Sequence, residues 1–314
     1  MRNAFAQELT KIATTDKSIV LLSGDIGNRL FDSYKEVAPD RFFNCGVAEA
    51  NMIGTAAGMA MCGLRPVAYT IAPFITFRCL EQIRVDLCYH KTPVVVVGVG
   101  AGLSYASLGA THHSCEDIAM LRVLPEMTII CPGDASEVRL AIREALKLDG
   151  PVYIRLGKKG EPIVHTQEPA FVIGRGITVK DGRDLCILST GNMLPTALES
   201  AEALKEHGID SRVVSLHTVK PLDEELIHEV FCKYPLVVTI EEHSVIGGMG
   251  SSIAEWLAQK EGLRAKLLSI GTADRFLHKS SDQGNAREIF GLTADQIVTR
   301  ITDRLLAIEK SQAK

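Results

Sequence analysis

The chain has 314 residues, enough for two domains, with 46% hydrophobic and 23% charged residues, ordinary proportions for a globular protein. A formal net charge of −4 and a pI near 6.2 give no electrostatic reason to expect nucleic acid or an anionic membrane as partner. No run approaches the ~18 apolar residues that a membrane span needs.

The opening stretch, MRNAFAQELTKIATTDKS, places Ala4, Phe5, Leu9 and Ile12 on one helical face. It reads as an amphipathic helix and lacks the continuous apolar core of a signal peptide. Strands are then expected at 18–24 (SIVLLSG), 65–71 (RPVAYTI), 92–100 (TPVVVVGVG), 127–133 (MTIICPG) and 150–157 (GPVYIRLG), with RFFNCG adding a short one. The last four of the five long runs are almost wholly apolar, the pattern of strands buried on both faces. Helices are expected at 49–62, 78–89, 116–123 and 135–146, the last capped by Asp134.

Residues 158–172 carry charge, two prolines and no periodicity, and read as a linker. A second series follows, with strands at 184–191, 211–218, 236–243 and 265–271 and helices near 195–207, 223–232, 249–261 and 293–309. The expected fold is two consecutive α/β domains with mainly parallel sheets, 1–157 and 173–314. The eight cysteines, Cys45, Cys62, Cys79, Cys88, Cys115, Cys131, Cys186 and Cys232, are widely spaced with no C-x-x-C. That usage points to reduced thiols in a cytoplasmic protein, with neither a disulfide framework nor a zinc site.

In parallel sheets, ligands gather beyond the carboxyl ends of the strands, so polar residues there are the ones to weigh. Glu49 is the one charged residue from Gly46 to Gly63. It is either a first-turn acid favoured by the helix dipole or a carboxylate with a chemical role; no compensating charge is near it in the sequence. In SLGATHHSCED, Ser114, Glu116 and Asp117 read as a capped helix start, while His112 and His113 remain candidates for acid–base work or ligand contact. Ile71, Phe74 and Phe77 form an apolar stripe, either core or the wall of a pocket for a flat ring. In EEHSVIGGMGSSIAE, Gly247, Gly248 and Gly250 turn a strand into a helix, but the order is not G-x-G-x-x-G, so a turn or subunit contact is the better reading.

Taken together, RFFNCGVAEANMIGTAAGMAMCG, the aromatic segment, GATHHSCEDIAMLRVLPEM, GPVYIRLG, HTVKPLD and EEHSVIGGMGSSIAE resemble the C-terminal half of a transketolase. The resemblance covers essentially the whole chain. It is to the thiamine-diphosphate superfamily that also contains 1-deoxyxylulose-5-phosphate synthase and the β subunits of 2-oxo acid dehydrogenases, and within it to the C-terminal section of a split, two-chain transketolase.

The resemblance implies a role for each candidate. Glu49 matches the glutamate that shares a proton with N1′ of the cofactor's aminopyrimidine, a role suited to a carboxylate in a dry pocket. Ile71, Phe74 and Phe77 match the segment that walls the pyrimidine, and Asp25 matches an acid near that ring and the subunit contact. His112 matches a histidine facing the substrate, with His113 beside it where glutamine is frequent. Arg2 and Arg155 match arginines that grip a sugar phosphate. Two usual substrate contacts are replaced, an acid by Leu108 and a histidine by Gly100, so the resemblance implies an altered donor.

The chain has SGDIGN but no G-D-G followed about 25–30 residues later by an asparagine pair, the oxygen-rich site for diphosphate and metal. The resemblance therefore implies an N-terminal partner subunit that brings the diphosphate domain and Mg²⁺ or Ca²⁺, in an α₂β₂ assembly. The activity implied is transfer of a two-carbon ketol unit from an anionic ketose to an aldehyde. Alternatives left open are the β subunit of a 2-oxo acid dehydrogenase and a non-catalytic homologous scaffold.

Overall fold

The computed structural model describes residues 1–27, 29–158 and 160–312. The first half runs α1 (Arg2–Thr15), β1 (Ile19–Ser23), α2 (Asp32–Val37), β2 (Phe42–Asn44), α3 (Glu49–Met61), β3 (Arg65–Ile71), α4 (Ala72–Thr76) and α5 (Leu80–Gln82). It continues with β4 (Val95–Val99), α6 (Asp117–Arg122), β5 (Thr128–Ile130), α7 (Ala135–Ala145) and β6 (Val152–Leu156). The second half runs β7 (Ile177–Lys180), β8 (Leu185–Ser189), α8 (Leu194–Glu206), β9 (Ser211–Ser215), β10 (Thr218–Lys220), α9 (Glu224–Lys233) and β11 (Leu236–Ser244). It ends with α10 (Met249–Leu257), β12 (Lys266–Thr272), α11 (Gln283–Phe290) and α12 (Ala294–Gln312).

The first sheet has the order β10-β5-β6-β4-β3-β1-β2, and its strands are parallel except β10. Every residue of β1, β4 and β6 is buried, because helices cover both faces. Alternation along the strands sorts the two cores. Val67, Tyr69, Val97 and Ile154 pack on α1, α2 and α7, while Val20, Leu22, Ala68 and Val96 pack on α3 and α6. The latter core also holds Leu188, Val214, Val230 and Trp256, so apolar packing is continuous between the two halves. The second sheet, β12-β11-β8-β9-β7, is parallel apart from β7. Two α/β units with mostly parallel sheets are thus present. Among the described residues no helix is long and apolar enough to cross a membrane.

The expected elements differ from the observed ones in several places, beginning with the short helices α2 and α4, which were not expected. The helix expected over 78–89 begins at Leu80 and passes into a π-helical segment, Ile83–Tyr89, whose wider turns sequence periodicity does not announce. Strands β7 and β10, both short and antiparallel, and helix α11 were not expected. Strand β10 comes from the second half yet pairs with β5 of the first sheet. Ser114 does not cap α6: Glu116 holds the N-cap position without a side-chain cap, and the Ser114 hydroxyl is buried without a partner. Asp134 does cap α7, accepting from the Glu137 N–H at 2.9 Å, and the linker is tied to the same carboxylate through the N–H groups of Val164 and His165.

Candidate active site

The carboxyl ends of β1, β2, β3, β4 and β6 point to one edge, and chain order reverses direction there, since β1 leads outward to β2 while β3 and β4 lie on its other side. That reversal is where open parallel sheets leave a crevice. Glu49 arrives as the first residue of α3, after a turn in which Gly46 takes φ +66°. The residue is 4% exposed. Its carboxylate is not unpaired: Arg78 Nη1 donates to both oxygens, at 3.3 and 3.2 Å. The partner lies 29 residues downstream, beyond the reach of any local sequence pattern. This corrects the expectation of a carboxylate without compensating charge.

From Arg78 a continuous row of rings follows. Its guanidinium carbon stands 4.1 Å from the centre of the Phe74 ring, a distance at which a cation is attracted to the π face. Phe74, on α4, meets the His112 imidazole edge-on at 5.1 Å, and His112 meets Tyr105 at 6.3 Å. Beyond Tyr105, the Lys158 ammonium sits 4.9 Å from its ring centre. Arg2 lies against the Tyr105 hydroxyl, and its buried Nε has no hydrogen-bond partner. Burial holds the Tyr105 pKa up, against the pull of Arg2. Burial, His113 and Arg78 together push the His112 pKa down, favouring the neutral imidazole, whose Nδ1 is 3.0 Å from the Thr111 hydroxyl.

The expected residues therefore divide. Glu49, Phe74, His112 and Arg2 fall on this row. Asp25 is exposed at the end of β1 with φ +55° and accepts from Asn44 at 3.0 Å. Ile71 is half-buried at the start of α4. Phe77 is 36% exposed and lines a separate cavity of about 550 Å³, shared with His113, Glu116, Arg275, Phe276 and Phe290 from both halves of the chain.

Two expectations are not supported by geometry. His113 is buried and its Nε2 is 3.1 Å from the Ala106 carbonyl, so it braces its own loop. Arg155 is 2% exposed and committed to the interior: Nε donates to Asp117 at 2.8 Å, and Nη2 donates to the carbonyls of Ser114 and Glu242 at 2.7 and 3.0 Å. Alternation along β6 puts it on the face of Tyr153, opposite Val152, Ile154 and Leu156, and both faces are covered; Lys158, just beyond the same strand, reaches the row. The glycine-rich turn before α10 is filled from within, since Glu241 accepts from the N–H groups of Met249 and Gly250 at 2.7 and 2.8 Å. Sequence reading missed Arg78, Tyr105 and Lys158. Tyr105 is packed closely on Gly100, where at φ +85° a Cβ would lie 2.0 Å from Tyr105 Cε2.

A nearly buried carboxylate, an aromatic wall and a neutral histidine in line fit one half of a site for a flat, protonatable ring. The orphaned Arg2 Nε beyond them fits an anionic group at the far end. The fold is an α/β unit with this crevice at its strand ends, followed by a smaller α/β unit. Residues 1–161 match the transketolase pyrimidine-binding domain and residues 174–297 the transketolase C-terminal domain, and the chain belongs to the transketolase family. It is 38% identical over 308 residues to a putative transketolase C-terminal section from Methanocaldococcus jannaschii, covering 97% of this chain and 96% of that one. It is 35% identical over 291 residues to a subunit of the apulose-4-phosphate transketolase of Phocaeicola vulgatus, covering 92% and 91%. Among solved structures, a split-gene transketolase described as an inactive β4 tetramer superposes with a TM-score of 0.88 at 38% identity, covering 96% of this chain and 97% of that one. The chain thus corresponds to the C-terminal section of a split transketolase.

Proposed function

We propose that this chain is the pyrimidine-binding subunit of a two-chain, thiamine-diphosphate-dependent enzyme that moves a two-carbon ketol unit from an anionic ketose to an aldehyde. The observation that carries the reading is the nearly buried Glu49 carboxylate at the carboxyl edge, in line with Phe74 and His112. When bound, thiamine diphosphate supplies the electron sink for carbon–carbon cleavage. Glu49 holds and returns a proton at the pyrimidine nitrogen, and Phe74 walls the ring. Neutral His112 donates to an oxygen of the sugar. Arg2 and Lys158 attract the sugar's anionic end, and Lys158 takes the role that the resemblance implied for Arg155.

The diphosphate and its Mg²⁺ or Ca²⁺ belong to a partner subunit in this reading, and activity requires both chains, as α₂β₂ in the cytoplasm. Phe43 and Val47, 42% and 72% exposed just ahead of Glu49, support a second polypeptide covering that side. The related Phocaeicola vulgatus subunit is named for a sugar phosphate, which supports an anionic donor.

The test mixes this chain with its diphosphate-domain partner, thiamine diphosphate and Mg²⁺ and follows aldehyde release from a panel of ketose phosphates. Release that depends on the ketose and on both chains is expected. Release of CO₂ from pyruvate instead would assign the complex to 2-oxo acid dehydrogenases, and failure to bind thiamine diphosphate would make the chain a scaffold.

A further inference from the structure

The loop that carries Tyr105 and His112 runs from Gly100 to Glu116, and its base is held by the second half of the chain. Gly102 and Ser114 close the loop on itself with paired N–H to carbonyl bonds of 3.1 and 2.9 Å. Directly beneath lies Glu242 of β11, wholly buried. Its carboxylate accepts the Leu103 N–H at 2.8 Å, Asn192 Nδ2 at 2.9 Å and Gln283 Nε2 at 2.9 Å, and it pairs with Arg287. The approach is so close that a Cβ on Gly102, at φ +58°, would lie 2.5 Å from the Glu242 carbonyl oxygen. A glycine is therefore required there by the neighbouring strand, and not by the turn alone. Arg155 adds a third tie by holding the Ser114 and Glu242 carbonyls together, and the Ser244 N–H donates to the Cys115 carbonyl at 2.7 Å.

We infer that Glu242 is a positioning residue through which the C-terminal domain sets the substrate loop, placing Tyr105 and His112 for the sugar. A carboxylate buried this completely is stable only while its donors are in place, and one of those donors is the loop's own backbone. Glu49 and Phe74 hang from β2, β3 and α3, outside this clamp. The domain that supplies no residue of the row thereby governs how the sugar is held, and leaves the grip on the cofactor ring alone. The inference rests on the proposed function for its substrate half, since it takes His112 to face the sugar.

The test compares Glu242→Gln, Arg287→Ala and Arg287→Lys in the assembled two-chain complex. Expected is a rise of about ten- to a hundredfold in donor KM, or an equal fall in kcat/KM, for the first two. Thiamine diphosphate affinity should change by less than about twofold, and Arg287→Lys should restore most of the donor effect. A fall in cofactor affinity as large as the donor effect would mark global damage and overturn the assignment, as would wild-type donor kinetics in well-folded variants. Should Glu242→Gln fail to fold, the partly exposed Arg287 carries the same comparison. Hydrogen exchange on the full chain reads the clamp whatever reaction the complex performs: amides of 101–114 should exchange faster in the variants while those of 49–61 do not. Unchanged exchange in 101–114 overturns the clamp, whereas a wild-type complex without ketol transfer overturns the functional reading and the substrate half with it.

Discussion

Arg78 grips both carboxylate oxygens of Glu49 from a position half in solvent, with 49% of its side chain exposed against 5% for Glu49. The pair is therefore unequal. Removing Arg78 strands a buried carboxylate, whereas removing the charge of Glu49 frees a guanidinium that can turn to water. Arg78→Met should cost about 1–2 kcal/mol of stability, less than a fully buried pair because Arg78 is screened. Glu49→Gln should cost less stability than that, yet lower turnover of the assembled complex by about 10²- to 10⁴-fold. Urea unfolding of the chain beside kinetics of the complex separates the two; near-full turnover in Glu49→Gln would remove Glu49 from the chemistry.

Arg155 and Lys158, three residues apart, should fail in opposite ways. Arg155→Met leaves Asp117 buried without its main partner and should cost about 3–5 kcal/mol. Burial alone would raise the Asp117 pKa, but Arg155, His243 and Tyr153 outweigh it and hold the carboxyl below its ordinary value. The stability this contributes is present above the ordinary aspartate range and is lost as pH falls through the lower folded value. Asp117→Asn combined with Arg155→Met should recover much of the loss. Lys158→Met should shift stability by no more than about 0.5 kcal/mol and raise KM for an anionic donor about tenfold, the worth of one charged hydrogen bond. Equal donor effects from the two, without the stability difference, would restore the sugar-gripping role to Arg155.

Gly100 and Tyr105 make a steric couple. Gly100→Ala would place a methyl 2.0 Å from Tyr105 Cε2 at a backbone φ of +85°, so both the ring and the backbone are penalised. The variant should lose stability and displace Tyr105 from His112. The tyrosine near-ultraviolet signal reads that displacement in Gly100→Ala, and Gly100→Ala with Tyr105→Ala should recover the steric part and leave the backbone part, readable as incomplete rescue in urea unfolding.

Most of the architecture was legible because it rests on local pattern. The apolar runs of β3, β4 and β6 and the Asp134 cap of α7 each state their structure within a few residues. The site was half legible for the same reason. Glu49 announces itself as one charge in an apolar helix, and His112 by its place in a loop after the strongest strand. Arg78 and Lys158 acquire meaning only through contacts across the fold, with Glu49 and Tyr105. Arg155 was assigned from the resemblance, and nothing local announces its buried partner Asp117, 38 residues away in the chain. β10 was hidden because it pairs with a strand of the other domain, a contact that no neighbouring residue foretells.

Glu241 and His243 stand 3.9 Å apart on β11, both buried, and should pull the pH dependence of stability in opposite directions. Burial raises the Glu241 pKa from 4.5 to about 7, against the two N–H groups that favour its charge. Between those values the folded chain keeps a proton that the unfolded chain has lost. The associated stability is present in full below about pH 4.5 and is lost as pH rises to about 7. Burial lowers the His243 pKa from 6.5 to about 4. Its neutral ring is held by donation from Nδ1 to the Ser244 carbonyl and acceptance by Nε2 from the Ala119 N–H. There the unfolded chain holds the extra proton, so stability grows from about pH 4 to 6.5 and persists above. Each contribution is on the order of 3 kcal/mol, and they offset one another across the shared window. Relative to the wild-type chain, Glu241→Gln should therefore gain stability as pH rises from about 4.5 to 6.5, and His243→Gln should lose it. Urea midpoints taken every half pH unit for the three proteins read the two slopes, and parallel curves would mean that neither group titrates in this range.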